Sequence, residues 1–297
     1  MKKVTLVLLF LVSLQIQGAE SLITLQVEPE NRKMNIILNG FGVVNIDWGD
    51  GRNTLDTLFG KQQFYRHEYL NSTIRTIIIT GENITMLVSS YFPLKSLDVS
   101  KNAALTFLEC LLCQLTELDV SKNIKLEYLG LEANRLTSLD VSKNTALKSL
   151  ACGVNRLTNI DVSQNIALLE FWCSSNQLTN LDVSKNVALR TLLCAQNQLT
   201  ELCVNKNTTL FRLNCSGNQL TSLNLSENTA LESVVLENNK LSKDALNELF
   251  GTLHSNPPRL YPKAIYIEGN QGIDDCDKSI AENKDWTIKQ VINIFQY

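Results

Sequence analysis

Residues 147–167 read LKSLACGVNRLTNIDVSQNIA, and residues 168–188 repeat the pattern as LLEFWCSSNQLTNLDVSKNVA. The chain from residue 94 to residue 241 keeps this period of 21 residues. A fixed period of this size is typical of stacked coils, because one coil cannot bury its apolar side without its neighbours. Leucines divide each period again into two short strand-like halves, so the repeat predicts a β-rich solenoid.

The first half of each coil resembles the leucine-rich repeat. Its pattern Leu-x-x-Leu-x-Cys/Leu-x-x-Asn-x-Leu is kept in successive units from Leu126 to Leu241. The second half, which contains Leu-Asp-Val-Ser-x-Asn, is similar to secreted bacterial proteins with 21-residue repeats, internalin-like in broad type. The resemblance implies a right-handed solenoid of about seven coils over residues 84–241, with a concave, ligand-binding face lined by the short strands.

Two columns of asparagine are predicted to tie the coils together. An asparagine at a bend can turn inward and bond to the backbone of its own and neighbouring coils, which would otherwise be buried unpaired. One column is Asn134, Asn155, Asn176, Asn197, Asn218 and Asn239, and the other is Asn102, Asn123, Asn144, Asn165, Asn186, Asn207 and Asn228.

Five of the eight cysteines occupy one inward position of the coil: Cys110, Cys152, Cys173, Cys194 and Cys215. Adjacent strands lie ~4.8 Å apart, whereas the Cβ atoms of a disulfide lie ~3.8 Å apart. We therefore predict a buried, mostly reduced ladder. Cys113 stands where the bend asparagine is expected, Cys203 is expected to be an exposed thiol, and Cys276 lies in the C-terminal segment.

The ends of the chain differ from the repeat. Met1-Lys2-Lys3, the apolar run Val4 to Ile16 and the small residues Gly18 and Ala19 predict a signal peptide over residues 1–19. No later segment has the ~20 apolar residues of a membrane-spanning helix. The predicted location is secreted, periplasmic or cell-surface.

Residues 20–83 are not repetitive and predict a small β-strand cap, with strands at 22–27, 34–38, 43–47 and 73–80. The stretch Val43-Asn-Ile-Asp-Trp-Gly-Asp-Gly51 and the later His67-Glu-Tyr69 resemble the PKD-type β-sandwich. Asp47 and Asp50 are interpreted as turn residues, and calcium ligation is the alternative.

Residues 242–297 predict an α/β cap that closes the stack. Ser242 is a suitable N-cap for a helix ending before Pro257, and a strand at 264–268, a short helix near 278–283 and a strand near 286–288 follow. Asp274, Asp275 and Asp277 lack the spacing of a calcium loop and are interpreted as capping and solvated residues.

Catalytic chemistry is sparse. His67 and His254 are the only histidines, and no catalytic triad, phosphate-binding loop, cofactor motif or metal-ligand set is recognised. The aspartates at 98, 119, 140, 161 and 182 form a ladder that we interpret as compensated by nearby lysines and serines, with cation or glycan binding as the alternative. The net charge of −3 without a basic face argues against a nucleic-acid partner.

The outward positions of the first half-coil vary from coil to coil and carry the predicted site. Exposed aromatic and arginine side chains are typical anchors of binding surfaces, and Trp172 is the leading candidate. The predicted ligand-binding residues are Phe107, Glu109, Leu111, Tyr128, Glu132, Glu170, Trp172, Leu193, Arg212, Asn214 and Val235.

These observations predict a monomeric, non-catalytic protein that binds a protein or glycan on the concave face, with adhesion or host interaction as the expected setting. The main alternative is carbohydrate binding by the PKD-like segment, with the solenoid as a spacer. An enzyme and a self-assembling scaffold are further alternatives.

Overall fold

The computed structural model describes residues 21–27 and 33–289. The predicted signal peptide, residues 1–19, lies outside these ranges. Within them, the predicted solenoid is confirmed, because one short strand per coil pairs in parallel with the strand of the next coil. The pairing keeps the 21-residue register, so that Glu170 lies beside Thr191 and Thr191 beside Arg212.

The N-terminal strands are antiparallel. They are β1 (Ser21–Val27), β2 (Lys33–Asp47), β3 (Asn53–Phe59), β4 (Gln63–Glu68), β5 (Arg75–Val88) and β6 (Leu94–Asp98). Sequence patterning predicted two separate strands in the region that β2 occupies. β2 is continuous because its pairing with β5 shifts register around Gly40, and the strand continues through this bulge. It did not predict β3 and β4, which pair with successive parts of β2.

Strand β5 joins the N-terminal sheet to the solenoid. Its first part pairs with β1, most of its length pairs with β2, and its residues Met86 to Val88 also pair in parallel with the first repeat strand. The end of β5 and strand β6 form the two halves of the first coil, and β1 also pairs with β6. The hydroxyl of Ser21 donates to Asn102 Oδ1 at 3.1 Å. The N-terminal strands therefore pair with both halves of the first coil.

The repeat strands are β7 (Phe107–Glu109), β8 (Tyr128–Gly130), β9 (Ser149–Ala151), β10 (Glu170–Trp172), β11 (Thr191–Leu193), β12 (Arg212–Asn214) and β13 (Ser233–Val235). Helix α1 (Lys243–Thr252), β14 (Ala264–Tyr266), helix α2 (Ser279–Glu282) and β15 (Thr287–Lys289) follow. Because the end of β5 and strands β14 and β15 extend the parallel ladder, the stack is longer than the seven regular coils. The predicted N-cap is present, since Ser242 Oγ accepts the N–H of Ala245 at 3.2 Å.

The asparagine columns bond between coils as predicted. In the first column, Asn176 Nδ2 donates to the carbonyl oxygens of Cys152 and Cys173, and its Oδ1 accepts the N–H of Leu157. The residue before each bend takes a positive φ in every regular coil, as Ser175 does at 57°. This left-handed residue was not predicted, and it turns the asparagine side chain toward the core.

The core runs through the stack and contains the cysteine ladder. All five ladder cysteines are buried, as predicted, and no two of the eight cysteines are bridged. Burial raises the pKa of the Cys173 thiol well above its ordinary value. Cys113 partly replaces the bend asparagine, because its thiol donates to the carbonyl oxygen of Ser89.

Candidate functional site

The strand face is the outward side of β7 to β15, the surface that the resemblance implies to be concave. In strands β7 to β14 the middle side chain, such as Leu150 or Phe171, is fully buried, and its two neighbours point away from the core. Because each strand has only three residues, only one side chain per strand points into the core. The chemistry of this face is therefore set by the flanking positions of each coil.

An aromatic and acidic cluster lies at the N-terminal end of the strand face. The rings of Phe107 and Tyr128 stack with their centroids 4.1 Å apart, and the Tyr128 hydroxyl donates to Glu109 at 3.4 Å. Gly130 makes this possible, since a Cβ there would lie 3.0 Å from the Tyr128 ring. Burial, with a smaller contribution from Glu109, raises the pKa of Tyr128 to about 12 and also raises the pKa of Glu132.

A groove of about 710 Å³ occupies the C-terminal part of the strand face. Aromatic and aliphatic side chains line it, together with the carboxylates of Glu132, Glu170 and Glu232 and the cations of Arg212 and Lys289. It brings together seven of the eleven predicted residues, namely Glu132, Glu170, Trp172, Leu193, Arg212, Asn214 and Val235. The other four, Phe107, Glu109, Leu111 and Tyr128, lie outside its lining.

Two of the predicted residues are not exposed as expected. Val235 is 8% exposed and packs with Ala264 and Tyr266, and Asn214 is 7% exposed. Asn214 Oδ1 accepts from the N–H and hydroxyl of Ser216. The expectation of exposure is wrong for both residues, and for Val235 the reason is that β14, which follows a 31-residue step, brings Tyr266 against it.

Sequence reasoning missed one wall of the groove, which residues 256–263 form as they lead into β14. The buried carboxylate of Glu232 accepts the backbone N–H groups of Arg259, Leu260 and Tyr261. Lys263, only 1% exposed, donates to the carbonyl oxygens of Asn256 and Lys284. No local pattern reveals these bonds, because all but the bond from Lys263 to Asn256 link residues more than 20 positions apart.

The aspartate ladder is satisfied locally. Asp119 Oδ1 accepts the backbone N–H of Ser121 at 2.8 Å, and the other four aspartates make the same bond at 2.8 to 2.9 Å. This backbone bond, with the serine hydroxyl, lowers the pKa of Asp119, and Lys122 contributes less. Asn224 accepts from Ser226 in the same way, so the turn needs an acceptor and not a charge.

The two motif segments of the N-terminal strands meet in one buried cluster. His67 Nε2 lies 2.9 Å from Asp50 Oδ2, its ring stacks on Trp48, and Arg52 also donates to Asp50. Asp47 Oδ1 accepts the N–H of Gly49, as the turn interpretation predicts. No group of residues suited to hold a metal ion occurs in the described ranges.

We expect Asp50→Asn to lower the free energy of unfolding by about 2 kcal/mol, since it weakens charged hydrogen bonds to two partners. The bond from Arg52, with the His67 bond, holds the pKa of Asp50 well below its ordinary value. This stabilisation is present above the unfolded-state pKa of about 3.9 and is lost as pH falls below it. Urea unfolding at pH 6 and pH 3 measures both effects, with exposed Asp274→Asn as control. Equal pH dependence of wild type and Asp50→Asn would contradict the assignment.

The second histidine is also held by the fold. His254 Nε2 bonds to the carbonyl oxygen of Leu231 at 2.7 Å, and Nδ1 accepts the N–H of Asn256. Burial is the main cause of its lowered pKa. Cys203 is exposed as expected and Cys276 is half-buried. Among the described residues, no helix is long and apolar enough to cross a membrane.

One strand per 21-residue coil, a leucine core and two asparagine columns define the fold class of this protein, a leucine-rich-repeat solenoid. No protein-family model matches the sequence, and no curated protein matches it.

Among solved structures, the functional domain of InlJ from Listeria monocytogenes, described as including a cysteine ladder, is 28% identical with a TM-score of 0.51. The match covers 70% of this chain and 50% of that domain, so this chain spans half its length. The leucine-rich repeat domain of APL1B is 18% identical over 63% of this chain and 56% of that chain, with a TM-score of 0.51, and supports the fold alone.

Proposed function

We propose that this chain is an exported, monomeric, non-catalytic binding protein that holds a protein partner on the strand face. The groove at Trp172 carries the proposal, because it joins an aromatic anchor to Glu170 and Arg212, neither of which forms an ion pair within the described residues. Export rests on the predicted signal peptide, and the location would be secreted, periplasmic or cell-surface. A protein is preferred to a glycan because leucine-rich-repeat solenoids are characteristically protein-binding frames.

The groove is suited to binding because its shape is held by the coils. Trp172 and Leu193 are half-buried neighbours in β10 and β11, so little side-chain freedom remains to be lost when a ligand covers them. The indole N–H of Trp172 is buried and has no hydrogen-bond partner among the described residues. Specificity would come from the coil-to-coil variation around this anchor.

Trp172→Ala tests the proposal. We expect it to weaken binding of the natural partner by about 30-fold, as truncation of a central aromatic anchor does, while leaving the fold intact. Arrays of extracellular proteins and of glycans, probed with the protein, identify the partner, and titration calorimetry then compares the variants. Ile166→Ala is the control, because Ile166 is an exposed apolar residue outside the strand face. An unchanged dissociation constant for Trp172→Ala would defeat the proposal, and glycan-only hits would change the ligand class.

Carbohydrate recognition by the N-terminal strands is the second candidate. Phe41 and Phe59 are paired across β2 and β3 and are 59% and 68% exposed, and Phe64 on β4 is 75% exposed. Exposed aromatic rings in one region are a feature of binding surfaces. Glycan binding that survives Trp172→Ala but is lost in Phe41→Ala/Phe59→Ala would favour this candidate.

A further inference from the structure

The strand face carries opposite charges at a fixed separation. Glu170 and Arg212 occupy equivalent positions in β10 and β12, with Thr191 of β11 between them in direct register. Two strand spacings separate the two backbone positions by ~10 Å. The apolar pair Trp172 and Leu193 lies beside this gap.

These charges are free to meet a ligand. Both side chains are exposed, and neither forms an ion pair within the described residues. Glu170 receives one long bond, from the Ser149 hydroxyl at 3.4 Å. Glu132 at one end of the groove and Lys289 at the other extend the same polarity, and Glu232, the carboxylate among the later coils of the lining, is buried and bonded to three backbone N–H groups.

The separation of Glu170 and Arg212 distinguishes a helical protein ligand from an extended one. In an α-helix, residues seven apart lie on one face and are ~10.5 Å apart along the axis. In an extended strand, same-face residues are ~6.7 or ~13 Å apart, and residues three apart, at ~10 Å, face opposite ways. A helix laid along the coil stack therefore matches the charge spacing and an extended segment does not.

Building on the proposed function, we propose that the partner presents an amphipathic α-helix to the groove, with a basic residue opposite Glu170 and an acidic residue seven positions away opposite Arg212. Apolar side chains three and four positions from the basic residue lie on the same face of that helix. They cover Trp172 and Leu193. Tyr261 and Pro262, which belong to the wall formed by residues 256–263, limit that side of the groove.

The test uses fluorescein-labelled alanine-based peptides of ~18 residues, long enough to hold a helix. The probe carries lysine and glutamate seven apart with leucines at the third and fourth positions between them. A second peptide of the same composition has the charges five apart, which places them on opposite sides of the helix. A third has a central proline that breaks the helix. Fluorescence anisotropy measures each dissociation constant.

We expect the seven-spaced peptide to bind at least about tenfold more tightly than either control peptide. Arg212→Glu and Glu170→Arg should each weaken binding of the seven-spaced peptide about tenfold. Each single variant places two like charges on the strand face, so one of the two charges on the peptide is repelled. The double variant Glu170→Arg/Arg212→Glu should recover binding, since the peptide can reverse its direction. This recovery separates charge pairing from general damage to the groove.

Equal binding of the three peptides, no binding of the seven-spaced peptide, or no recovery in the double variant would overturn the helix inference. Those outcomes leave the proposed function standing if Trp172→Ala still weakens the natural partner. If Trp172→Ala does not weaken binding of the seven-spaced peptide, the inference is overturned as well, because the apolar contact with Trp172 is part of it.

Discussion

Asn176→Ala is expected to lower the free energy of unfolding by about 4 kcal/mol, the largest effect of any single change considered for the solenoid. Asn176 is 8% exposed and bonds at 3.0 to 3.1 Å to three backbone groups in two coils. Alanine removes all three bonds and leaves the N–H of Leu157 without a partner, while the carbonyl oxygens of Cys152 and Cys173 each keep one asparagine donor from a neighbouring coil. Each buried polar group that loses its partner costs about 1 to 3 kcal/mol.

Urea unfolding followed by far-UV circular dichroism measures this loss. Asn180→Ala is the matched control, because Asn180 is exposed in the same coil, and it should change stability by less than about 0.5 kcal/mol. Because stability in a repeat stack is partly a sum over neighbouring coils, Asn176→Ala should also broaden the transition. A variant as stable as Asn180→Ala would show that the column does not hold the coils together.

The asparagine columns were predictable because their cause is local and repeated. A residue that recurs at one position of every period must serve a role that every coil shares, and satisfying the backbone at a bend is such a role. The same reasoning identified the cysteines as core residues. It missed the positive φ at the preceding position, because residues as different as Ala133, Val154 and Gly217 adopt it. The bend imposes that conformation on whichever residue lies there.

The N-terminal strands were predicted less well because their pairing is not periodic. β3 contains the exposed Leu55 and Phe59, so the usual alternation between apolar and polar residues is weak there. β2 continues across Gly40 and Gly42, residues that normally signal the end of a strand. Long-range pairing with β5 overrides both local signals.

The outward positions of the strand face were easier to predict from the sequence than the residues that surround them. Outward positions of a strand follow from its alternation, so the sequence could place Trp172, Leu193 and Arg212 on one face. It could not predict that Tyr266 would cover Val235, nor that Lys289 would add a cation, since both arrive from coils whose spacing departs from the period. Residues 256–263 also lie outside the regular period, so the sequence did not indicate that they form a wall of the groove.

Glu232→Ala is expected to release that wall and to lower the free energy of unfolding by about 3 kcal/mol. Glu232 is 3% exposed, and its carboxylate accepts three successive backbone N–H groups, including that of Tyr261 at 2.8 Å. Burial alone would raise the pKa of this carboxyl, but the three donors together hold it below its ordinary value. The stabilisation is therefore present above the unfolded-state pKa of about 4.3 and is lost as pH falls below it.

Hydrogen exchange at residues 259–261 reports directly on this anchor. In Glu232→Ala these three amides should exchange much faster, while the amide of Leu178, which bonds to Asn197, stays protected. Glu232→Gln keeps one carbonyl acceptor in place and should retain part of the protection, and Glu248→Ala, on the exposed side of α1, should retain all of it. Because Lys263 fixes the same segment from its other end, the loss should stop short of α2. Unchanged exchange in Glu232→Ala would mean that Lys263 alone holds the wall, and the groove would then owe its shape to the C-terminal coils.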